Sequence, residues 1–168
     1  MLEIKEEDLK KILPSDGPSI KEVQKYLEKY NDEYIVIKCG GSVLVSKNLF
    51  DHFINSISIL NKLGFIPIIV HGGGKRISNR LTEAGIESNF LNGLRITDDK
   101  TIKIVEEVLI KFNKEIVEAL KNSRCAAEEI NTKQNNIISV IKDDEKLGFV
   151  GTPNKINKEY LDKIVNEK

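Results

Sequence analysis

Apolar residues along the chain follow two spacings, one typical of buried strands and one typical of helices packed on a core. Short β-branched runs at 34–37 and 66–70 predict buried strands, and a further strand is predicted at 137–141. The segment 48–63 carries apolar residues three or four positions apart and ends at Gly64, which predicts a helix. The residues of that apolar face are Leu49, Phe53, Ile57 and Leu60.

The same helical spacing recurs on both sides of the chain centre. A long apolar stripe from Ile102 to Leu120 predicts a core helix, and residues 77–84 and 157–165 predict shorter helices. Between them, Asn92-Gly93 is a β-hairpin signal.

The strand at 66–70 is followed by three consecutive glycines, Gly72, Gly73 and Gly74, and then by a helical pattern. Glycine leaves the backbone accessible to a ligand and can adopt positive φ angles that aim several N–H groups at one point. The helix start adds unpaired N–H groups and the positive end of its dipole. This turn predicts phosphate or carboxylate binding, and a tight strand-to-helix turn without a ligand is the alternative.

A second strand with a glycine turn lies upstream, where Lys38 and Cys39 precede Gly40 and Gly41. If the two strands are parallel and the 48–63 helix connects them, both glycine turns emerge at the same carboxyl edge of the sheet. One lysine and two glycine turns would then converge on a site for a charged phosphoryl group. The alternative for Lys38 is a strand-end lysine that faces solvent.

Neither turn fits the P-loop or the dinucleotide-binding fingerprint. Five motifs instead follow the order found in N-acetylglutamate kinases of the amino acid kinase family, and the chain resembles their N-terminal half from about residue 34 to about residue 157. The motifs are IKCGG (37–41), VHGGG (70–74), NGLRITD (92–98), NKEIV (113–117) and LGFVG (147–151).

The resemblance implies a three-layer α/β/α fold with a mainly parallel sheet and a β-hairpin lid. In the family, the γ-phosphoryl group of ATP-Mg²⁺ passes to the side-chain carboxylate of N-acetyl-L-glutamate during arginine biosynthesis. The acceptor is already an anion, so catalysis consists of positioning and charge neutralisation without a general base. The C-terminal half that supplies the adenine-binding surface is not found in this sequence, and we expect the chain alone not to turn over ATP.

The matched positions also imply site residues. Lys38 is the expected catalytic residue, since its charge would offset that of the transferring phosphoryl group. Backbone N–H groups of the glycine turns would hold the phosphoryl oxygens, and two of these glycines, Gly73 and Gly74, would also contact the acceptor. The phosphate-binding glycines are Gly40, Gly41, Gly72, Gly73 and Gly74. No protein metal site is expected, because Mg²⁺ enters with ATP.

In the family, an arginine on the hairpin lid pairs with a substrate carboxylate, and Arg95 occupies that position. A planar guanidinium suits bidentate carboxylate binding better than lysine does. Arg95 is therefore expected to bind N-acetyl-L-glutamate. A solvated arginine on an ordinary hairpin is the alternative.

The composition of the chain limits the classes of partner that it is expected to bind. The 168 residues include 26 basic and 26 acidic side chains, and this balance argues against nucleic-acid binding and a polybasic membrane role. The start shows no leader pattern and no run approaches a membrane-spanning length, so a cytoplasmic location is expected. Cys39 and Cys125 have neither metal-like nor disulfide-like spacing and are expected to be reduced.

We expect two parts, a helical extension at 1–31 and the acetylglutamate-binding part of the kinase domain at 32–168. In the extension, residues 8–13 predict a short helix, and Ser19–Glu22 is a capping box that opens a helix to about Tyr30. That helix either packs on its own domain or serves as an oligomerisation arm, because N-terminal helices of this kind occur in arginine-regulated family members. A homo-oligomer is expected. The sequence of this helix is similar to the corresponding segment in the family branch in which the kinase domain is fused to an acetylglutamate synthase domain.

One segment departs from the family pattern. Acetylglutamate kinases usually carry a glycine-rich segment ending in Leu-Ser-Gly-Lys-Asp-Gly, whereas residues 130–137 read Ile-Asn-Thr-Lys-Gln-Asn-Asn-Ile. The lysine, Lys133, is kept without the glycines, so a solvated loop is expected there.

Two functions of different classes remain open. The chain is either the acceptor-binding part of an acetylglutamate kinase or a non-catalytic module that binds acetylglutamate or oligomerises with a kinase partner. The intact set of Lys38, glycine turns and Arg95 favours the first.

Overall fold

The computed structural model describes residues 6–13, 15–30, 32–40, 46–131 and 136–166. Helices alternate with short strands along the chain. The helices are α1 (Glu6–Ile12), α2 (Ile20–Tyr30), α3 (Lys47–Lys62), α4 (Gly74–Glu83), α5 (Asp99–Asn122) and α6 (Lys158–Asn166). The strands are β1 (Tyr34–Cys39), β2 (Ile66–His71), β3 (Phe90–Leu91), β4 (Leu94–Arg95), β5 (Ile138–Lys142) and β6 (Gly151–Ile156).

The chain divides into two compact units. The first comprises Met1–His71 with Ala119–Cys125, and the second comprises Gly72–Glu118 with Ala126–Lys168. Each is described by itself below.

The first unit is built on a parallel pair of strands. β1 and β2 pair in register from Tyr34 opposite Ile66 to Cys39 opposite His71. A parallel pair needs a crossover connection, and α3 supplies it. The predicted α/β class with a parallel sheet is therefore confirmed.

The buried side chains of α3 show which face of the helix packs. Ile54, Ile57 and Ser58 are buried, and the Ser58 hydroxyl donates to the Ser123 carbonyl oxygen at 3.4 Å. Leu49 was expected on this face, but it lies in the first turn and is 48 % exposed, so this expectation is wrong. The first turn of the helix does not face the core.

The N-terminal capping box is confirmed in the first unit. The Glu22 carboxylate accepts from the Ser19 backbone N–H at 3.0 Å and from its hydroxyl at 2.7 Å, while the Glu22 N–H donates to the Ser19 hydroxyl at 3.4 Å. These bonds satisfy N–H groups that a helix start leaves unpaired, and α2 begins at Ile20 as expected.

The second unit contains the predicted β-hairpin. β3 and β4 are antiparallel, with Leu91 opposite Leu94 and Phe90 opposite Arg95. The turn residues Asn92 and Gly93 have φ angles of 50° and 81°, as a type I′ turn requires.

The exit of this hairpin is fixed by a close backbone approach. The Thr97 N–H donates to the Leu147 carbonyl oxygen at 2.9 Å, and the Phe149 N–H donates to the Thr97 carbonyl oxygen at 2.8 Å. Between them, Gly148 has a φ of 71°, and a Cβ there would lie 2.2 Å from the Thr97 carbonyl oxygen. Only glycine fits this position.

The core of the second unit lies where α4 packs beside α5. Ile77 and Leu81 are buried on α4, and Phe112 and Ile116 are buried on α5, each pair one helical turn apart. The Arg76 guanidinium connects the two helices, since it lies 4.0 Å from the centre of the Phe112 ring and 2.6 Å from a Glu115 carboxylate oxygen.

Later elements also match their predicted places. β5 at Ile138–Lys142 confirms the strand expected at 137–141, and it pairs with β6 as an antiparallel ladder. α6 confirms the helix expected at 157–165.

Cys39 and Cys125 are both buried and free of disulfide bonds. Within the described ranges, no helix has the length and apolar character needed to cross a membrane.

Truncation of the Phe112 ring tests the core of the second unit. Phe112 is 1 % exposed, so we expect Phe112→Ala to lower the free energy of unfolding by about 3–5 kcal/mol, measured by urea denaturation. Phe149→Ala is the matched control, because that ring is 57 % exposed and its loss should change stability by less than about 0.5 kcal/mol. Equal effects of the two changes would contradict the core assignment.

A second prediction concerns Asp98, which precedes the first residue of α5. Its carboxylate accepts from the backbone N–H of Thr101 at 2.8 Å and from that of Lys100 at 3.1 Å. These bonds, led by that of Thr101, lower the pKa of Asp98. Its contribution to stability is therefore complete above pH about 4, the value in an unfolded chain, and is lost as the pH falls through the lowered native value.

The measurement is urea unfolding between pH 6 and pH 2.5 for the native chain and for Asp98→Asn. Asparagine keeps the helix-capping acceptor but does not titrate. The stability difference between the two proteins should shrink below pH 4. A difference that stays constant over the whole range would contradict the role of Asp98.

Candidate functional site

The glycine turn after β2 lies at the start of α4. Gly73 precedes the helix and is buried, and a Cβ there would lie 2.9 Å from Cδ2 of Leu109 on α5. A Cβ on Gly72 or Gly74 would meet no atom of the described residues within 4 Å. One glycine therefore permits close packing, and the other two leave open space where a ligand has access to the backbone.

The three glycines of this turn do not use the positive φ angles that glycine can adopt. Positive φ occurs at Gly64, Gly85, Gly93 and Gly148, but at none of the three glycines of the turn. Gly73 itself has φ −141° and ψ 14°. The chain therefore enters α4 without a left-handed residue. Gly73 permits close packing, and Gly72 and Gly74 leave open space beside the backbone.

The start of α4 is not capped by any side chain that the structure describes. The first turn after Gly73 also contains no acidic residue. The first helical bond runs from the Ile77 N–H to the Gly73 carbonyl oxygen at 2.8 Å, so the N–H groups before Ile77 have no acceptor inside the helix. Such a helix start favours an anionic ligand.

Arg95 reaches this helix start from the hairpin. Its Nη2 atom donates to the Ser78 hydroxyl at 2.9 Å and to the Gly74 carbonyl oxygen at 3.3 Å. The guanidinium also lies 4.7 Å from the centre of the Phe90 ring, the residue opposite Arg95 in the hairpin. The structure therefore brings Arg95 and the glycine turn together, within the second unit.

The other terminal nitrogen of Arg95, Nη1, is buried and has no hydrogen-bond partner in the part of the chain that the structure describes. Burial also lowers the pKa of the Arg95 guanidinium, although an arginine stays protonated at neutral pH. An unsatisfied buried donor costs about 1–3 kcal/mol, and more when charged, so such a group in a native protein requires an explanation. An anion is one kind of ligand that could accept a hydrogen bond from this cationic donor.

The remaining predicted residues belong to the first unit or lie outside the described residues. Lys38 pairs with Val70 near the end of β1, and its side chain is exposed. Gly40 follows the strand, and a Cβ there would meet no atom within 4 Å. The register of β1 and β2 confirms that both strands end at the same edge. Gly41 and Lys133 lie outside the described residues.

Sequence reasoning missed the residues that position Arg95. Ser78 lies four residues after Gly74, one helical turn along α4, and Phe90 is paired with Arg95 by the two-residue turn. The helical spacing and the hairpin register were the available signals. As to metals, His, Cys, Asp and Glu side chains form no group of three or more suited to an ion in the described ranges.

Comparison with known proteins shows which family the chain matches. Residues 33–168 match the amino acid kinase family. The chain is 61 % identical over 165 residues to the acetylglutamate kinase of Pelagibacter ubique, a match that covers 98 % of this chain and 57 % of that protein. It is 38 % identical over 142 residues to the acetylglutamate kinase of Campylobacter jejuni, covering 84 % of this chain and 51 % of that protein. The chain thus spans about half the length of these curated relatives.

A solved structure shows the same fold at low identity. The N-acetylglutamate synthase of Neisseria gonorrhoeae, complexed with coenzyme A and N-acetyl-glutamate, superposes with a TM-score of 0.69 at 16 % identity. That match covers 89 % of this chain and 36 % of the synthase.

The open space at Gly74 leads to a stability prediction. Gly74 is helical, and an added Cβ meets nothing within 4 Å, so Gly74→Ala should raise the free energy of unfolding by about 0.4–1 kcal/mol. Gly85→Ala is the control, because Gly85 has a φ of 69° and alanine there should destabilise the protein. Both are measured by urea unfolding, and a loss of stability in Gly74→Ala would show that the space is not open.

Proposed function

Because the chain belongs to the amino acid kinase family, we propose that it carries the N-acetyl-L-glutamate site of an acetylglutamate kinase. Two relatives that bear this name support the substrate, at 61 % and 38 % identity. The observation that carries the proposal is the buried Nη1 of Arg95, a cationic donor without a partner among the described residues, in a side chain held at the start of α4.

The charge pattern of the substrate fits this site. N-acetyl-L-glutamate has two carboxylates, and the side-chain carboxylate is the nucleophile in the proposed reaction. The α-carboxylate is then the one that Arg95 binds. The open N–H groups at the start of α4 add further donors for an anion, beside the space at Gly72 and Gly74.

For the whole protein we propose transfer of the γ-phosphoryl group of ATP-Mg²⁺ to that side-chain carboxylate, as a step of arginine biosynthesis. The exposed Lys38 ammonium would neutralise charge on the transferring group, and N–H groups of the glycine turns at Gly40, Gly41 and Gly72–Gly74 would hold its oxygens. No general base is required, since the nucleophile is already an anion. A homo-oligomer is part of the same proposal.

A second candidate function is a module that binds acetylglutamate, or oligomerises with a kinase partner, without catalysis. Both candidates concern the given chain, which covers 57 % and 51 % of the two kinases. We propose that the 168-residue chain binds the acceptor without turning over ATP by itself. Phosphorylated acetylglutamate formed by the purified chain would contradict this and would exclude the non-catalytic candidate.

Isothermal titration calorimetry with N-acetyl-L-glutamate tests the binding site. Arg95→Ala should weaken binding about 10- to 100-fold, because a hydrogen bond to a charged group contributes about 1.5–3 kcal/mol. Arg80→Ala is the matched control on α4, since the Arg80 ion pairs with Glu83 and Glu107 are 3.9 Å long and partly exposed and such pairs contribute little.

The affinity of Arg80→Ala should equal that of the native chain. Equal losses in both variants, or no binding by the native chain, would contradict the proposed site.

A further inference from the structure

Arg95 Nη1 is not the only unpartnered donor on its hairpin. The hydroxyl oxygen of Ser88 is also buried and also has no hydrogen-bond partner among the residues that the structure describes. Ser88 lies two positions before Phe90, the first residue of β3. Two donors without acceptors therefore occur on one short segment of the chain, which suggests a common cause.

The hairpin register places both groups on the same face. Phe90 is opposite Arg95, and the Ile96 N–H donates to the Asn89 carbonyl oxygen at 2.9 Å, so the pairing continues beyond the two-residue strands. Side chains alternate between the faces of a strand, which puts Ser88 on the face of Phe90 and Arg95. Diagonal neighbours of this kind are about 7–8 Å apart, within reach of a long side chain.

The guanidinium also extends toward β3, the strand that Ser88 precedes by two positions. It lies over the ring of Phe90, which is on that strand, at 4.7 Å from the ring centre. The Arg95 side chain thus crosses the hairpin and does not extend away from it.

The bonds of Nη2 limit how Arg95 binds a carboxylate. The Arg95 Nη2 atom carries two hydrogens and already donates to two acceptors, Ser78 Oγ and Gly74 O. A guanidinium can bind both oxygens of a carboxylate through one of two pairs of nitrogens, Nη1 with Nη2 or Nε with Nη2. Each pair includes Nη2. With Nη2 engaged, Arg95 offers Nη1 to one carboxylate oxygen, and the second oxygen needs another donor.

We propose that the Ser88 hydroxyl is this second donor, so that Arg95 Nη1 and Ser88 Oγ together bind the α-carboxylate of an N-acyl amino acid. This inference rests on the proposed function. It adds a binding residue and gives Ser78 the role of a positioning residue that keeps Nη2 engaged. A two-donor site of this kind selects a carboxylate over an amide, because an amide presents only one acceptor oxygen.

Access to the two donors requires a small movement, since neither atom is in contact with solvent. The Phe90 side chain lies against the guanidinium and is 55 % exposed, so its ring can rotate without opening the core. Ligand entry then displaces Phe90 while the Nη2 bonds to α4 remain. The proposal thus accounts for burial of both donors in the absence of ligand.

The test compares the affinity and the stability of Ser88→Ala. A hydroxyl that donates to a bound carboxylate contributes to binding, so Ser88→Ala should weaken N-acetyl-L-glutamate binding about tenfold in calorimetry. The same change removes an unsatisfied buried group, so the variant should unfold at the same temperature as the native chain or higher. A purely structural serine would instead lose stability. Ser139→Ala, an exposed strand serine, is the matched control and should change neither quantity.

A double-mutant cycle links Ser88 to Arg95. If both hold the same carboxylate, Ser88→Ala should cost less affinity in the Arg95→Lys background than in the native chain.

Each failure has a separate meaning. Native affinity in Ser88→Ala, or fully additive losses in the cycle, would overturn the role of Ser88 while the loss in Arg95→Ala still supports the acetylglutamate site. No binding by the native chain would overturn both proposals.

Discussion

The geometry of the candidate site depends on the register of one two-residue turn. Asn92 and Gly93 both adopt positive φ, and this turn pairs Leu91 with Leu94 and Phe90 with Arg95. A slip of one residue would turn every following side chain to the opposite face. The bonds from Arg95 to α4 and the cover by the Phe90 ring exist only in this register.

Some hydrogen-bond donors of the candidate site have acceptors within the protein, and others have none among the described residues. Nη2 of Arg95 donates to two acceptors on α4, whereas Nη1 and the Ser88 hydroxyl have no partner in the described ranges, where no side chain caps the helix at Gly73. Leaving donors unpaired lowers stability, and fixed donors need no reorganisation when an anion binds. The unpaired donors therefore lower the stability of the second unit at the place where the proposed ligand would bind.

Much of the fold was predictable because local signals decided it. The capping box at Ser19, the Asn-Gly turn and Gly64 after α3 each have a physical reason to start or end an element, and each has the predicted structure. The wrong expectations concern tertiary placement. Helical periodicity could not show that Leu49 faces solvent, and glycine composition could not show that Gly73 serves packing against Leu109.

For the site, sequence motifs named Arg95 but not the residues that position it. The bond to Ser78 and the burial of Ser88 are set by how the hairpin meets α4, which no spacing in the sequence specifies. The roles of Lys38 and of the phosphate-binding glycines, like the division at residue 32, remain predictions.

The two cysteines give the chain an internal probe of its own motions. Cys39 and Cys125 are the only thiols among the 168 residues, both are buried, and both belong to the first unit. Burial raises the pKa of the Cys39 thiol, so little reactive thiolate exists until the protein opens. The rate of modification by a thiol reagent therefore reports the local opening of the first unit, to which both thiols belong.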